Sequence, residues 1–158
     1  MYQVMKKLLY RPSFLVLIVT MFSLSLGLMG FKDDDIQLAV VANEKGAPAT
    51  ITMKELISVV QGDKQRWPDG TRISLAFMKT TTPAGNATAK KLHKTSGDQF
   101  NKFWLALVFQ GKAKSPMFFN SAQELDAYVG STPGAIGILE ASSSPRTRTL
   151  TVDDKKSF

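Results

Sequence analysis

The sequence predicts an α/β layer structure, a mixed sheet flanked by helices, on three observations. Three segments are framed as helices by capping chemistry, and four short apolar runs of strand character alternate with them. A chain of 158 residues, 44% hydrophobic, suits one ordinary domain once a leader is set aside. No internal repeat is visible.

In chain order, "MYQVMKKLLYRPS" is basic, and "FLVLIVTMFSLSLGLMG", Phe14 to Gly30, is uncharged and apolar before the abrupt "KDDD". Residues 1–31 therefore read as a signal peptide or an N-terminal membrane anchor. Ser25 and Gly27 fit the small-residue positions for cleavage after Gly27, and the run is near the lower length limit for a permanent span. Either outcome leaves the basic flank cytoplasmic and places residues beyond about 31 in the periplasm or its equivalent. Asp33, Asp34 and Asp35 lack the glycine turn and distal glutamate of a calcium loop and read as a soluble spacer.

The exported part divides into an α/β lobe over 32–152 and a polar tail over 153–158. Strands are expected at "IQLAVVA" (36–42), "RISLAF" (72–77), "AIGIL" (135–139) and "TLTV" (149–152). Thr52 with Glu55, Ser96 with Gln99, and Ser121 with Glu124 each fit a capping box, and Gly62, Gly111 and Gly130 are placed to end the same helices. The helices read as about 53–61, 97–110 and 122–129. Phe100, Phe103, Trp104 and Leu107 fall on one apolar face of the second, a core stripe. "WPDG", Trp67 to Gly70, is a type I turn that delivers the chain into the strand at 72, and "SSSPRTRT" at 142–149 reads as a surface connection.

The formal charge is +7; Lys6, Lys7 and Arg11, with no acid in residues 1–31, leave +4 for the rest. That excess is interleaved with acids and apolar residues, so nucleic acid is not an expected partner. With no cysteine, disulfides, thiol catalysis and thiolate metal sites are excluded. His93, the one histidine, sits in a lysine-rich run and reads as a solvated helix-face residue. No motif supplies a partnered nucleophile or metal-ligand spacing, so no catalytic residue, metal or cofactor is expected.

One polar stretch, "KTTTPAGNAT", carries a candidate anion site: Lys79, Thr80, Thr81, Thr82, Gly85, Asn86 and Thr88. A helix starting near Asn86 and running through Leu92 would aim its unpaired N–H groups and partial positive charge back at the loop. The competing reading makes Pro83, Gly85 and Asn86 a plain turn, with Asn86 or Thr88 capping the helix.

Taken together, "LAVVANEKGAPATITMKELISVVQGDKQRWPDGTRI", "FWLALVFQGKAKSP" and "STPGAIGIL" resemble, in this order and spacing, the phosphate-type substrate-binding proteins of bacterial ABC importers in the type 2 periplasmic binding protein superfamily. The resemblance covers roughly residues 36–140. It implies a single lobe of a fold whose full members close two lobes over the ligand. Leu56, Val60 and Trp67 are then packing residues, with Val60 and Gln61 standing where the family commonly has Ile and Phe. Gly134 and Gly137 would start a central strand where a side chain would collide with neighbouring backbone.

The family's anion motif, an arginine followed by Ser-Gly-Thr at a helix start, aligns with Lys79 through Thr88, where Lys79 replaces the arginine and Ala84-Gly85-Asn86 replaces Ser-Gly-Thr. Lysine forms no planar two-pronged bond and Ala84 has no hydroxyl, so the site is weakened. An exposed helix terminus contributes about 0.3–1 kcal/mol, whereas micromolar binding needs about 8 kcal/mol. The resemblance thus implies an exported, non-enzymatic solute-binding-like protein that takes phosphate or another small oxyanion for an ABC importer's membrane subunits. In the alternative it is a cell-envelope structural or interaction protein reusing the lobe without a small ligand.

Overall fold

Residues 35–158 are described by the structure, a computed structural model. The signal or anchor expected over residues 1–31 lies outside them. Among the described residues, strands β1 (Leu38–Ala42), β2 (Thr50–Ile51), β3 (Ser74–Met78), β4 (Met117–Phe119), β5 (Ala135–Glu140) and β6 (Thr149–Val152) form one sheet in the order β2-β6-β1-β5-β3-β4. β1 runs antiparallel to β5 and β6, while the β2–β6, β3–β5 and β3–β4 pairs are parallel. The sheet is mixed, as expected. Helices α1 (Met53–Val60), α2 (Pro83–His93), α3 (Gly97–Phe109) and α4 (Ala122–Ser131) cover it.

All five residues of β1 are buried, and β5 is buried except at Glu140. Continuous apolar strands of this kind need cover on both faces, and the register supplies it. Phe77 and Val40 both stand opposite Ile138, and Phe77 packs on Phe100 and Trp104 of α3. The neighbouring row, Ala76 and Val41 opposite Gly137, faces α4 instead: a Cβ on Gly137 would lie 2.5 Å from the Leu125 side chain and 3.0 Å from Val129. Gly137 is therefore required by helix side chains rather than by neighbouring backbone, which corrects the expectation. Gly134 does meet backbone, since its φ is +74° and a Cβ there would lie 2.4 Å from the Arg72 carbonyl oxygen.

Helix starts follow local chemistry. Thr52, Ser96 and Ser121 each accept from the backbone N–H three residues on, and Ser96 with Gln99 forms the complete reciprocal box. Gly62 and Gly111 end α1 and α3 at φ of +80° and +66°, where a side chain would be strained. The third expected stop fails. α4 continues through Gly130 to Ser131 because the Asn43 side chain, buried beneath the helix end, donates to both the Val129 and Gly130 carbonyl oxygens at 2.8 and 2.9 Å. Those carbonyls need no left-handed residue once a side chain serves them.

The "WPDG" turn is held by Gly70 N–H on Trp67 C=O at 2.9 Å. Trp67 is buried and its indole N–H donates to the Gly134 carbonyl oxygen at 2.9 Å, tying the turn to the start of β5. Leu56 and Val60 are buried as well. The connection after β5 is anchored from below, where the Asp126 carboxylate accepts the Arg146 and Thr147 N–H groups at 2.9 and 3.1 Å. Residues 153–158 turn back rather than trail away: Leu38 and Phe158 exchange two backbone hydrogen bonds, at 2.9 and 3.0 Å, and Phe158 packs on the core. Among the described residues no helix is long and apolar enough to cross a membrane.

Candidate functional site

The site begins where β3 ends. Lys79 N–H still pairs with Phe119 C=O on β4 at 2.9 Å, after which the chain leaves the sheet through Thr80 and Thr81. Thr82 then closes the turn, with its N–H and its hydroxyl both donating to Lys79 C=O at 2.8 and 2.7 Å. The same hydroxyl oxygen accepts from Gly85 N–H at 3.1 Å, making Thr82 the N-cap of α2 and Pro83 its first residue. This start lies three residues before the expected Asn86. Proline at the first helical position gives up an N–H that would have been unpaired anyway, so "TP" here opens a helix rather than shaping a turn.

That shift decides which of the expected residues keep a donor for a ligand. Thr82 has spent its proton on Lys79 C=O, Gly85 N–H is held by Thr82, and Asn86 N–H bonds to Thr82 C=O at 3.0 Å. Thr88 is buried inside α2, and its hydroxyl donates to Ala84 C=O at 2.8 Å. Lys79 and Thr81 are exposed, and among the described residues Lys79 has no carboxylate partner. Thr80 Oγ1 accepts from the Asn101 side chain of α3 at 2.9 Å, which leaves its own proton to give. Of the expected residues, those that bring a free donor to the adjoining cleft are thus Lys79, through its ammonium, and Thr80 and Thr81, through their hydroxyls. No acid sits in the first turn of α2, so no carboxylate there opposes an anion.

Lys79, Thr80 and Thr81 form the polar end of a cleft of about 430 Å³ whose other walls come from α3 and the edge strand β4. Thr82, Gly85, Asn86 and Thr88 do not line it. Asn101 belongs to the polar end and was missed from sequence. It lies 21 residues beyond Thr80, and no local pattern joins the two. Among the described residues no group of three His, Asp or Glu side chains is placed to hold a metal ion.

His93 is not the solvated residue expected. It is half-buried between α2 and α3, its Nε2 lies 3.2 Å from Val60 C=O, and its ring meets Phe100 and Phe103 edge-on at 4.6 and 5.0 Å. Burial pushes its pKa below the usual histidine value, against a smaller opposing effect of the Val60 carbonyl. The unfolded chain therefore binds a proton at higher pH than the folded one does. The stabilisation is complete above about pH 6.5 and is lost as pH falls toward the lowered folded value. Urea midpoints measured from pH 7.5 to 5 are expected to fall, and His93→Gln is expected to flatten the part of that slope that begins near pH 6.5.

No protein-family model matches the sequence, and no curated protein matches it. The fold does match solved structures. An ABC-type phosphate transport receptor from Vibrio cholerae superposes with a TM-score of 0.61 at 13% identity, over 78% of this chain and 50% of that one. PstS from Borrelia burgdorferi gives a TM-score of 0.57 at 15% identity, over 76% of this chain and 49% of that one. The chain thus spans about half the length of the solved proteins it matches, and at this identity the likeness shows the fold: the mixed α/β architecture of phosphate-transport binding proteins.

Proposed function

We propose that this chain is an exported solute-binding-like protein that takes phosphate or another small oxyanion at the Lys79–Thr81 segment, in the service of an ABC importer. The observation that carries the reading is the division of donors around α2. The capping bonds are satisfied within the turn, while the Lys79 ammonium and the Thr80 and Thr81 hydroxyls are left lining a cleft beside it. Phosphate is the ligand class named for the matched receptor from Vibrio cholerae. With one ammonium and two hydroxyls available in an open cleft, binding is expected in the millimolar range, about 4 kcal/mol.

A second reading, docking to an envelope protein, draws on the outer face of α3, where Leu105 is 59% and Phe109 82% exposed. Amide NMR with phosphate added at constant ionic strength, against chloride, separates the two. Saturable shifts at Lys79–Thr81, weakened several-fold by Lys79→Gln, support anion binding. An unmoved loop at 20 mM phosphate in the folded protein would overturn it and leave the docking reading.

A further inference from the structure

From the lining of the same cleft, and resting on the anion reading above, we infer that the ligand is an amphiphilic anion: a phosphomonoester carrying an apolar substituent, rather than bare inorganic phosphate. The cleft has two chemically distinct ends. At one, Lys79, Thr80 and Thr81 supply a charge and hydroxyl donors. At the other, Leu105 and Val108 of α3 face Pro116 and Phe118 at the start of β4, with Trp104 beneath.

Inorganic phosphate is strongly hydrated and presents acceptors on every side, so a site for it needs donors all round. Here the free donors stand at one end, because Ser115, the polar residue beside Pro116, gives its hydroxyl proton to the Pro116 carbonyl oxygen at 3.2 Å. Ala84 brings no hydroxyl, and the Thr82 and Thr88 hydroxyl protons are already given to backbone carbonyls. Three groups on one side suit a headgroup whose fourth substituent leads away from them.

The apolar walls are equally out of place for a bare anion. Among the described residues nothing covers Leu105, 59% exposed, or Val108, 37% exposed, and beside them stands Trp104, which is 2% exposed and whose indole N–H has no partner there. An alkyl or aryl group in the cleft would take those side chains out of water while the headgroup meets Lys79. Its volume of about 430 Å³ lies within the ordinary range for a small organic ligand of roughly 300–1,000 Å³. Charge at one end and apolar surface at the other give the site a direction.

Each methylene fully covered strengthens binding about four-fold. The test titrates the protein, by amide NMR at constant ionic strength, with n-hexyl phosphate, inorganic phosphate and n-hexanol. Hexyl phosphate is expected to bind at least ten-fold tighter than phosphate, moving Leu105, Val108 and Phe118 together with Lys79–Thr81. Leu105→Ser is expected to shrink that ratio toward one, and Lys79→Gln to weaken both anions. Equal affinity for the two phosphates overturns this inference while leaving anion binding in place. Hexanol binding as tightly as hexyl phosphate, indifferent to Lys79→Gln, overturns the anionic ligand altogether, and silence from all three overturns both readings. The same headgroup chemistry occurs free in solution and on a bilayer. Co-sedimentation with phosphatidic acid vesicles, released by hexyl phosphate, identifies a lipid source, and failure to sediment alongside hexyl phosphate binding identifies a free one.

Discussion

Phe77→Ala is expected to destabilise the protein by about 3–5 kcal/mol, a large part of the roughly 5–15 kcal/mol that holds a domain of this size together. Phe77 is 1% exposed, next to the last residue of β3, and its ring centroid lies 5.3 Å from Phe100 edge-on and 6.0 Å from both Trp104 and Phe118. It is the point where the sheet, α3 and the edge strand meet. The side chains around it are themselves rings fixed by other contacts, so the cavity left by truncation has few ways to close. With a urea dependence near 2 kcal/mol per molar, the midpoint should drop by about 2 M at unchanged slope. Phe109→Ala, on a side chain 82% exposed, is the control and should stay within about 0.5 kcal/mol. A Phe77→Ala shift no larger than the control's would mean that the cluster contributes nothing as a cluster.

The elements legible in the sequence are those whose cause lies within a few residues. The hydroxyl arms at Thr52, Ser96 and Ser121 each reach a backbone N–H three positions on, so pattern and structure coincide. The same holds for the left-handed glycines at 62 and 111 and for the turn at Trp67. Thr82-Pro83 is equally local, but proline and glycine two residues apart suggest a turn, where the structure begins α2 instead. Gly85 is in the helix for a different reason, the closeness of the Lys79 carbonyl.

Other features depend on distant partners. Asn43 replaces a glycine cap on α4 from 86 residues away. β4 is three residues long and exists through its pairing with β3, and the two-residue β2 likewise depends on β6. His93 is half-buried because α3 folds across it, which its lysine-rich surroundings hide. For the candidate site, composition marks the loop as a candidate. Which hydroxyls are consumed by capping, and that Asn101 orients Thr80, are facts of three-dimensional packing.

Gly85→Ala is expected to cost about 3 kcal/mol, the upper end of the range for overpacking, and to abolish with it the anion response proposed above. A Cβ on Gly85 would stand 2.1 Å from the Lys79 carbonyl oxygen, 2.5 Å from its carbon and 2.5 Å from the Met78 carbonyl oxygen. These are backbone atoms and cannot rotate aside. The Lys79 oxygen is also the acceptor for the Thr82 N–H and hydroxyl, so making room separates the end of β3 from α2 and breaks the turn that presents Lys79, Thr80 and Thr81. Gly111→Ala supplies the contrast: its φ of +66° strains a side chain but nothing lies within 4 Å, so it should cost about 1 kcal/mol and leave the loop untouched. Denaturant midpoints of the two variants, read beside their phosphate titrations, separate backbone strain from collision. A Gly85→Ala protein as stable as Gly111→Ala, with the phosphate shifts at Lys79–Thr81 intact, would show that this close approach does not hold the loop in place.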